Sequence, residues 1–318
     1  MAGYIEILRM PGVARIIAAQ LTARLPSGML SLSILLHVER VHGSYAAAGL
    51  VLATISIGQA VSGPLTSRWM GAWGMRRVLA LTLVVCSTAV FVLALVPLSV
   101  PAMMGVALVA GLSTPPIQPA VRTIYPKIVN SRQLTPLFSL DASAQEIIWV
   151  AGPVLATFVA TQIATSAAIL LCGIMLVIGG IWFIASPEVG RVRIPRSKRN
   201  FGVVLKKPTV LLTTVVGFLL VGSCAAVEAG VVAVFGHDGP QAGIVLAIWS
   251  IGSLVGGLAL GHVPISPWSL ARRMTLVFAG TALAIIMVDD FWWISITLLI
   301  SGIGLAPALA VIFASVSS

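Results

Sequence analysis

The sequence predicts an all-α integral membrane protein, and three features of the chain support this fold class. Hydrophobic residues make up 58% of the 318 residues and charged residues only 9%, whereas an average soluble domain is about 25% charged. The apolar residues form long runs that short polar segments separate. The basic residues, which give a formal net charge of +10, lie in those short segments rather than in one patch. A soluble protein and a nucleic-acid partner are therefore both disfavoured.

Ten membrane-spanning helices are predicted when a length of about 20 apolar residues is applied, with Pro, Gly and charged residues as boundaries. The expected spans are residues 13–37, 46–66, 78–97, 101–124, 135–160, 163–185, 209–235, 241–262, 271–288 and 292–315. Glu6 precedes the first basic residue, and no small-residue cleavage site precedes the first span. A cleaved signal peptide is therefore not expected.

The positions of Lys and Arg predict the orientation of the spans, because basic residues are retained in short cytoplasmic loops. With the N-terminus in the cytoplasm, 17 of the 19 basic residues fall on the cytoplasmic side or in the linker on that side. An even number of spans also places the C-terminus in the cytoplasm. We therefore expect a multi-pass protein of the plasma membrane with both ends inside the cell.

The longest polar segment, residues 191–207, carries seven basic residues and divides the predicted spans six to four. Basic segments next to a membrane attract anionic lipid, so membrane lipid is an expected partner. The expected domains are an N-terminal half of six helices at 1–190, a basic cytoplasmic linker at 191–208 and an incomplete C-terminal half of about four helices at 209–318.

An internal repeat predicts how the two halves are related. AGLVLATISIGQAVSGPLTSR at 48–68 aligns without gaps on AGIVLAIWSIGSLVGGLALGH at 242–262, with ten of 21 positions identical. The copies lie in spans 2 and 8, so both cross the membrane in the same direction. This favours two six-span halves in parallel orientation, as in some transporters, over two inverted five-span halves. A weaker echo pairs Gly111–Leu112 of span 4 with Gly304–Leu305 of span 10.

Five further segments carry a family resemblance: ARLPSGML at 23–30, GSYAAAGLVLA at 43–53, WGMRRVLAL at 73–81, PPIQPAVRTIYPKIV at 115–129 and FSLDASAQEIIWVAGPVLAT at 138–157. In these the chain resembles the major facilitator superfamily, and within it the drug-efflux-like permeases of actinobacteria. The resemblance implies secondary transport of small molecules by alternating access, in a bacterial membrane and without a cofactor. It also implies twelve spans, so we expect the second half to lack spans 11 and 12.

The segment SRWMGAWGMRR at 67–77 is predicted to be a cytoplasmic turn between spans 2 and 3. In the superfamily this loop reads G-x-x-x-D-R-x-G-x-R-R or close to it, and its acid is understood to help latch the cytoplasmic gate near span 11. Here Gly71 stands at the acid position. We therefore expect Arg76 and Arg77 to act as topological anchors more than as gating groups, with Gly74 permitting the turn.

Ionisable residues inside a membrane are costly and therefore point to function. Arg24 lies about twelve residues into span 1, too deep to reach either surface. It is predicted to pair with a buried acid or with an anionic group of a substrate, the alternative being a structural pair that fixes helix packing. Gln20, one turn earlier, shares its face and is placed to bind the same ligand.

Span 5 carries Asp141, Gln145 and Glu146. Asp141 and Gln145 are four residues apart and share a helix face, whereas Glu146 is turned by roughly 140° from Asp141. Glu146 lies near the middle of the membrane and is the predicted proton-titrating carboxylate, with protons as the coupling ion. Asp141 is closer to the cytoplasmic end, where we expect it to pair with Arg122 or Arg132.

Other candidates have two interpretations each. Glu228, late in span 7, either lines the cavity or lies near the outer interface. Arg122 resembles the superfamily's span-4 arginine, which is associated with proton coupling, but a cytoplasmic anchor is the simpler interpretation. Gly152 and Pro153 resemble the core of the antiporter signature, whose Gly-Pro pair implies close helix approach and bending. The prolines of span 4 are expected to break that helix, either to expose carbonyls to a cavity or only to kink it.

No enzyme or metal chemistry is predicted. The chain has no GxxxxGK[ST] loop to cradle phosphate, and its four histidines lack metal-ligand spacing. The three cysteines fall in three different apolar segments and are expected to be packing residues. The sequence therefore predicts a proton-coupled exporter of small organic molecules. The alternative is a truncated remnant, or a membrane sensor or scaffold, that keeps a transporter fold without transport.

Overall fold

The computed structural model describes residues 8–192, 208–236, 240–260 and 268–317. Within these ranges the chain is helical and contains no strand, which confirms the predicted all-α fold class. Residues 193–207, most of the predicted basic linker, lie outside the described residues.

The helices are numbered in chain order. Those before the linker are α1 Val13–Arg24, α2 Leu30–His42, α3 Tyr45–Trp73, α4 Met75–Leu95, α5 Val100–Leu112, α6 Ile117–Ile128, α7 Ser131–Gln162, α8 Thr165–Ala185 and α9 Pro187–Arg191. Those after it are α10 Pro208–Phe235, α11 Gln241–Leu260, α12 Ser269–Ala284 and α13 Phe291–Ser317. Each of the ten predicted spans therefore coincides with a helix or with a pair of consecutive helices.

Eight helical segments of the described chain are long and apolar enough to cross a membrane. They are Val13–His42, Tyr45–Trp73, Met75–Leu95, Val100–Ile128, Thr165–Ala185, Thr214–Phe235, Leu270–Met287 and Phe291–Leu309. The predicted spans 5 and 8 contain shorter apolar helical stretches, Ile147–Gln162 and Gln241–Gly257.

Two of the spans are interrupted helices. Span 1 consists of α1 and α2, which are joined by a 3₁₀ turn at Leu25–Gly28. Span 4 consists of α5 and α6, with residues 113–116 non-helical between them. Pro115 and Pro116 account for this second break as predicted, because proline lacks an N–H and disfavours helical backbone in the residue before it.

The turn between spans 2 and 3 is shorter than predicted. α3 continues through residues 67–73, so most of the segment expected to be a loop is helical. The chain turns at Gly74, whose φ of 92° and ψ of 147° are accessible to glycine and strained for other residues. The longer helix is reasonable because no proline lies between Pro64 and Gly74.

The chain divides into two compact units. The first comprises residues 1–148 and 159–197, and the second comprises residues 149–158 and 198–318. A ten-residue stretch of α7 thus groups with the C-terminal helices. The predicted domain boundaries, which place all of span 5 in the N-terminal half, remain a prediction.

Each unit has its own apolar core. In the first unit the core joins α1, α3, α4, α6, α8 and α9, with Ile124, Tyr125 and Phe183 among its largest buried side chains. In the second unit Leu220, Val277 and Ala308 form a smaller core between α10, α12 and α13. The core of the first unit lies at the end that contains α9. It also holds the last turn of α3 and the first turn of α4 in place there.

The repeat in the sequence is also a repeat in packing. In the first unit, a Cβ atom added at Gly58 of α3 would lie 2.8 Å from the Leu108 carbonyl oxygen of α5, and one at Gly111 would meet the Ile55 carbonyl. In the second unit, a Cβ atom added at Gly252 of α11 would collide with the backbone of α13. One added at Gly302 of α13 would collide with the carbonyl of Trp249 on α11. Gly58 and Gly252 are aligned in the repeat.

The weaker repeat predicted between spans 4 and 10 joins the correct spans, but its alignment is shifted by two residues. Gly302 takes the packing position of Gly111, since Ile55 and Trp249 are also aligned in the repeat. Gly304, which the sequence pattern suggested, instead faces the backbone of Arg273 on α12. The pair of spans was therefore right and the register wrong, because two nearby glycines compete for the alignment.

Candidate functional site

The break in span 1 positions the first functional side chain. Arg24 is the last residue of α1, immediately before the 3₁₀ turn that contains Pro26. Its Nη1 donates a hydrogen bond of 2.9 Å to Oε1 of Gln20, one helical turn earlier. A close approach to α7 supports the turn, because a Cβ at Gly28 would collide with the backbone of Ile148. The break therefore holds a guanidinium inside the first unit.

Asp141 of α7 receives two hydrogen bonds from other helices. Nε2 of Gln20 donates to Oδ1 of Asp141 at 2.7 Å. The hydroxyl of Tyr125, on α6, donates to the same oxygen at 3.0 Å. Gln20, Arg24, Tyr125 and Asp141 form one connected network, called the Asp141 cluster below. It joins spans 1, 4 and 5 within the first unit.

The Asp141 cluster combines deep burial with opposite charges. Gln20 and Tyr125 have no exposed surface, and Arg24 and Asp141 are half-buried. Arg24 and Asp141 attract each other electrostatically, with the Gln20 amide bonded to both. A buried polar group is costly unless it is hydrogen-bonded, so these bonds make the cluster tolerable in an apolar core. A change of charge on either ionic member would disturb all three spans.

The structure brings together three residues predicted from sequence and corrects one pairing. Gln20, Arg24 and Asp141 meet, and Asp141 is an acid of the kind that Arg24 was predicted to face. Asp141 binds Gln20 and Tyr125, and Arg122 is exposed on α6 instead of paired with it. Arg122 still lies close enough to repel Arg24. The physical reason is helix rotation, which turns Tyr125 inward and Arg122 outward.

Two further candidates lie on span 5, and only one of them, Gln145, has a side chain among the described residues. Gln145 is half-buried, one turn beyond Asp141 on the same helix face. The side chain of Glu146 lies outside the described residues, as does that of Arg132. The assignment of Glu146 as the proton-titrating group therefore stays a prediction. In the second unit, Glu228 is half-buried on α10 and lies near Cys224, one turn earlier.

Gly152 and Pro153 lie at a close helix contact. Both are buried in the second unit, where the Pro153 carbonyl accepts a 2.8 Å hydrogen bond from the hydroxyl of Thr157. A Cβ at Gly243 of α11 would lie 2.6 Å from the Pro153 carbonyl oxygen. Farther along, the Ser250 hydroxyl donates to the Trp149 carbonyl at 2.9 Å. This stretch of α7 therefore packs backbone to backbone against α11.

A second polar group lies at the end of the first unit where α3, α4 and α9 meet. Nη2 of Arg76 donates to the carbonyl oxygen of Ser186 at 3.1 Å, while Arg77 is exposed beside it. Glu188 of α9 forms an ion pair with Arg15 of α1. These contacts tie the start of span 1, the span 2–3 turn and the end of span 6 together. The Arg76 contact is local to the first unit.

Arg273 has a different environment from the one its sequence position suggested. The sequence counts it with Arg272 as a basic pair on the cytoplasmic side. Arg272 is exposed, but Arg273 is 7% exposed and donates from Nη1 to the Pro307 carbonyl of α13 at 2.8 Å. Arg273 is therefore a buried structural donor of the second unit as well as a basic residue at the end of a span.

Sequence reasoning missed Tyr125 and Glu188. Tyr125 follows an arginine by three residues in a proline-rich stretch, and only the packing of α6 on α1 shows that its hydroxyl points at Asp141. Glu188 could have been singled out from the sequence, because it is a lone acid between span 6 and a run of basic residues. Among the described residues, no three His, Cys, Asp or Glu side chains are grouped to hold a metal ion.

Comparison with known proteins decides the family. A sequence model of the Major Facilitator Superfamily matches residues 16–318, nearly the whole chain. The chain belongs to the major facilitator superfamily. No curated protein sequence compared with it matches. This membership and the apolar helices together make it a multi-pass membrane protein.

Solved structures of major facilitator transporters share the fold. The nucleoside transporter NupG, crystallised as a D323A mutant, superposes with a TM-score of 0.74 at 13% identity, covering 96% of this chain and 85% of NupG. A bacterial homologue of the human lysosomal transporter Spinster, in an inward-facing and unoccupied conformation, superposes with a TM-score of 0.63. That match has 12% identity and covers 96% of this chain and 78% of the homologue. At these identities the likeness concerns the fold.

Proposed function

We propose that this protein is a proton-coupled secondary transporter that exports small organic molecules across a bacterial plasma membrane. Membership of the major facilitator superfamily supports secondary transport, and members of that family are generally transporters rather than enzymes. The observation that carries the proposal further is the Asp141 cluster. It places a carboxylate, a guanidinium and two neutral donors at a junction of three spans.

In the proposed mechanism, Asp141 is the carboxylate that the proton reaches, and its charge is linked to the packing of the helices around it. Both hydrogen bonds that described residues donate to Asp141 end on Oδ1, so a proton on Oδ2 would leave these two bonds in place. Protonation removes the negative charge that attracts Arg24 across the Gln20 amide. Because Arg24 sits at the break of span 1, loss of this attraction loosens α1 from α7. A proton is thereby linked to the packing of helices that a transporter must rearrange.

The Asp141 carboxylate also supplies the substrate side of the same proposal. While it is charged, it can bind a cationic or hydrogen-bond-donating group of the transported molecule. Arg24, which is bonded to Gln20, has further N–H donors for a polar part of the same molecule. A proton on Asp141 removes the charge that holds the substrate, so proton and substrate compete for the same carboxylate, which gives antiport. In this scheme Glu146 and Glu228 are further acidic groups of the pathway, and the N-terminus is cytoplasmic.

The test uses the full chain reconstituted in liposomes with an imposed proton gradient. The probe is a fluorescent amphipathic cation such as ethidium, and proton movement is followed with a pH-sensitive dye inside the vesicles. We expect Asp141→Asn to abolish uphill probe movement while exchange without a gradient persists, since the variant has no titratable carboxylate. Asp289→Asn is the matched control, because Asp289 is exposed at a helix end.

The outcomes separate the possibilities. If proton-coupled probe movement persists in Asp141→Asn but is lost in Glu146→Gln, the proton-binding carboxylate is Glu146 rather than Asp141. Coupling that survives both substitutions contradicts the proton scheme. A folded wild-type protein that moves neither probe nor protons, across a panel of organic cations and anions, favours the non-transporting sensor or scaffold.

A further inference from the structure

A cavity of about 400 Å³ opens at the end of the first unit, between the last turn of α3, the first turn of α4 and the α9 region. Its lining includes Trp73, Gly74, Arg76, Arg77 and Gly190. The cavity lies where two spanning helices end, which is the level of the membrane surface. No residue of the Asp141 cluster lines it, so the case for a ligand here does not rest on the proposed transport function.

The charged groups of this cavity are all basic. Among the residues that the structure describes, Arg76 and Arg77 line it and no acidic residue does. Gly71, at the position where the superfamily's loop usually carries an acid, is part of the wall. Glu188, which precedes Val189 of the lining, is buried, pairs with Arg15 of α1 through Oε1 and is not itself part of the lining. The described lining therefore attracts an anion and presents no carboxylate to a cation.

Arg76 is held in place at this cavity. Its guanidinium donates to the Ser186 carbonyl at 3.1 Å, and it lies against Gly190, where an added Cβ would be 2.7 Å from its Cζ. A guanidinium anchored by one bond keeps further N–H donors for a phosphate. Arg76 and Arg77 are both exposed, so a ligand can reach both guanidinium groups. The first backbone N–H groups of α4, next to Gly74, add positive potential.

The rest of the lining is apolar and suited to a membrane surface. Trp73 is half exposed and stacks on Trp69 with ring centroids 5.2 Å apart. Met70, Val189 and Val192 are buried side chains of the wall. Tryptophan prefers the headgroup level of a bilayer. The cavity thus combines a phosphate-binding edge with an apolar floor at the depth of the lipid headgroups.

We propose that this cavity binds the headgroup of an anionic phospholipid, with the lipid phosphate held by Arg76 and Arg77. The absence of an acid from the described part of the lining favours one class of lipid. A zwitterionic headgroup would bring its ammonium group beside two guanidinium groups with no carboxylate to receive it. A headgroup without an amine, such as that of phosphatidylglycerol, avoids this repulsion. Under the proposed topology the lipid belongs to the cytoplasmic leaflet.

The test measures lipid binding to the purified full chain in detergent, from the shift of its thermal unfolding midpoint with ligand concentration. The probes are short-chain phosphatidylglycerol, short-chain phosphatidylcholine and inorganic phosphate. We expect saturable stabilisation by phosphatidylglycerol, weakened roughly fivefold for each arginine removed in Arg76→Gln/Arg77→Gln. Arg68→Gln/Arg272→Gln is the matched control, because both residues are exposed basic residues that do not line the cavity.

Four results overturn the proposal. Equal stabilisation by phosphatidylcholine removes the anion selectivity, and equal weakening in the control double variant shows a general charge effect. Equal stabilisation by inorganic phosphate makes the ligand a soluble phosphate rather than a lipid. If Arg76→Gln/Arg77→Gln does not unfold cooperatively, Gly190→Ala replaces it, since this change displaces the Arg76 guanidinium without altering charge. Unchanged phosphatidylglycerol binding in Gly190→Ala then contradicts the proposal.

Discussion

At individual residues, the stability and the proposed function of this protein depend on the hydrogen-bond partners of its buried polar groups. Asp141, Arg24 and Arg273 are ionic, lie away from open solvent, and make hydrogen bonds inside the helical units. Removing one partner of a buried bond exposes the full cost of desolvating the other. Substitutions at these residues should therefore act on stability and function together, and cycles of paired variants are needed to separate the two.

Tyr125→Phe tests the Asp141 cluster in this way. The change removes the donor to Asp141 but keeps the ring that fills the core. A hydrogen bond to a charged group contributes about 1.5–3 kcal/mol, so we expect a loss of that size in thermal unfolding measurements. The loss should shrink in the Asp141→Asn background, where the acceptor is no longer a carboxylate. Equal losses in both backgrounds would show that the Tyr125 hydroxyl does not depend on the carboxylate.

Among the helices, pairs approach each other through glycine. α3 meets α5 at Gly58 and Gly111, and α11 meets α13 at Gly252 and Gly302. Close backbone approach is the usual way in which helices associate within a membrane, where burial of apolar surface provides no drive. The same contact in both units accounts for the glycine that the two copies of the repeat share at Gly58 and Gly252.

Glycines of α3 offer a matched comparison. A Cβ at Gly58 would lie 2.7 Å from the Leu112 nitrogen, whereas one at Gly63 would meet nothing within 4 Å. We expect Gly58→Ala to lower the stability by about 1–3 kcal/mol, the range for overpacking a core. Gly63→Ala should be neutral or slightly stabilising, because alanine is the better helix former. Similar thermal unfolding midpoints for the two variants would contradict a tight α3–α5 contact at Gly58.

For the molecule as a whole, the expected orientation in the membrane rests on the distribution of basic residues. Membrane-impermeant maleimide tests it, because Cys86 and Cys172 are buried and Cys224 is half-buried, which keeps background labelling low. We expect Asp289→Cys to react in intact cells and Arg272→Cys to react only after permeabilisation. Both positions are exposed at helix ends. The reverse pattern would invert the topology and move the proposed lipid site to the outer leaflet.

Much of the architecture was predictable because its causes are local along the chain. Apolar runs predicted where helices lie, and prolines predicted the break at residues 113–116. The depth of Arg24 and its spacing from Gln20 predicted a polar face on span 1. The length of α3 was misjudged, since charged and aromatic residues at 67–73 suggested a loop although nothing there ends a helix. The predicted alignment of Gly304 with Gly111 was wrong because the sequence pattern alone does not distinguish Gly304 from Gly302.

Hydrophobicity and residue spacing were enough to predict the class of protein, the positions of the spans and the parallel repeat, since both act within one segment at a time. The partners of individual side chains required the folded structure: Asp141 meets Tyr125 rather than Arg122, and Arg273 is buried while Arg272 is exposed. The cavity shared by Arg76 and Gly190 also emerged only there. Such partners depend on the rotation and depth of one helix against another, and these follow from packing between segments far apart in the chain.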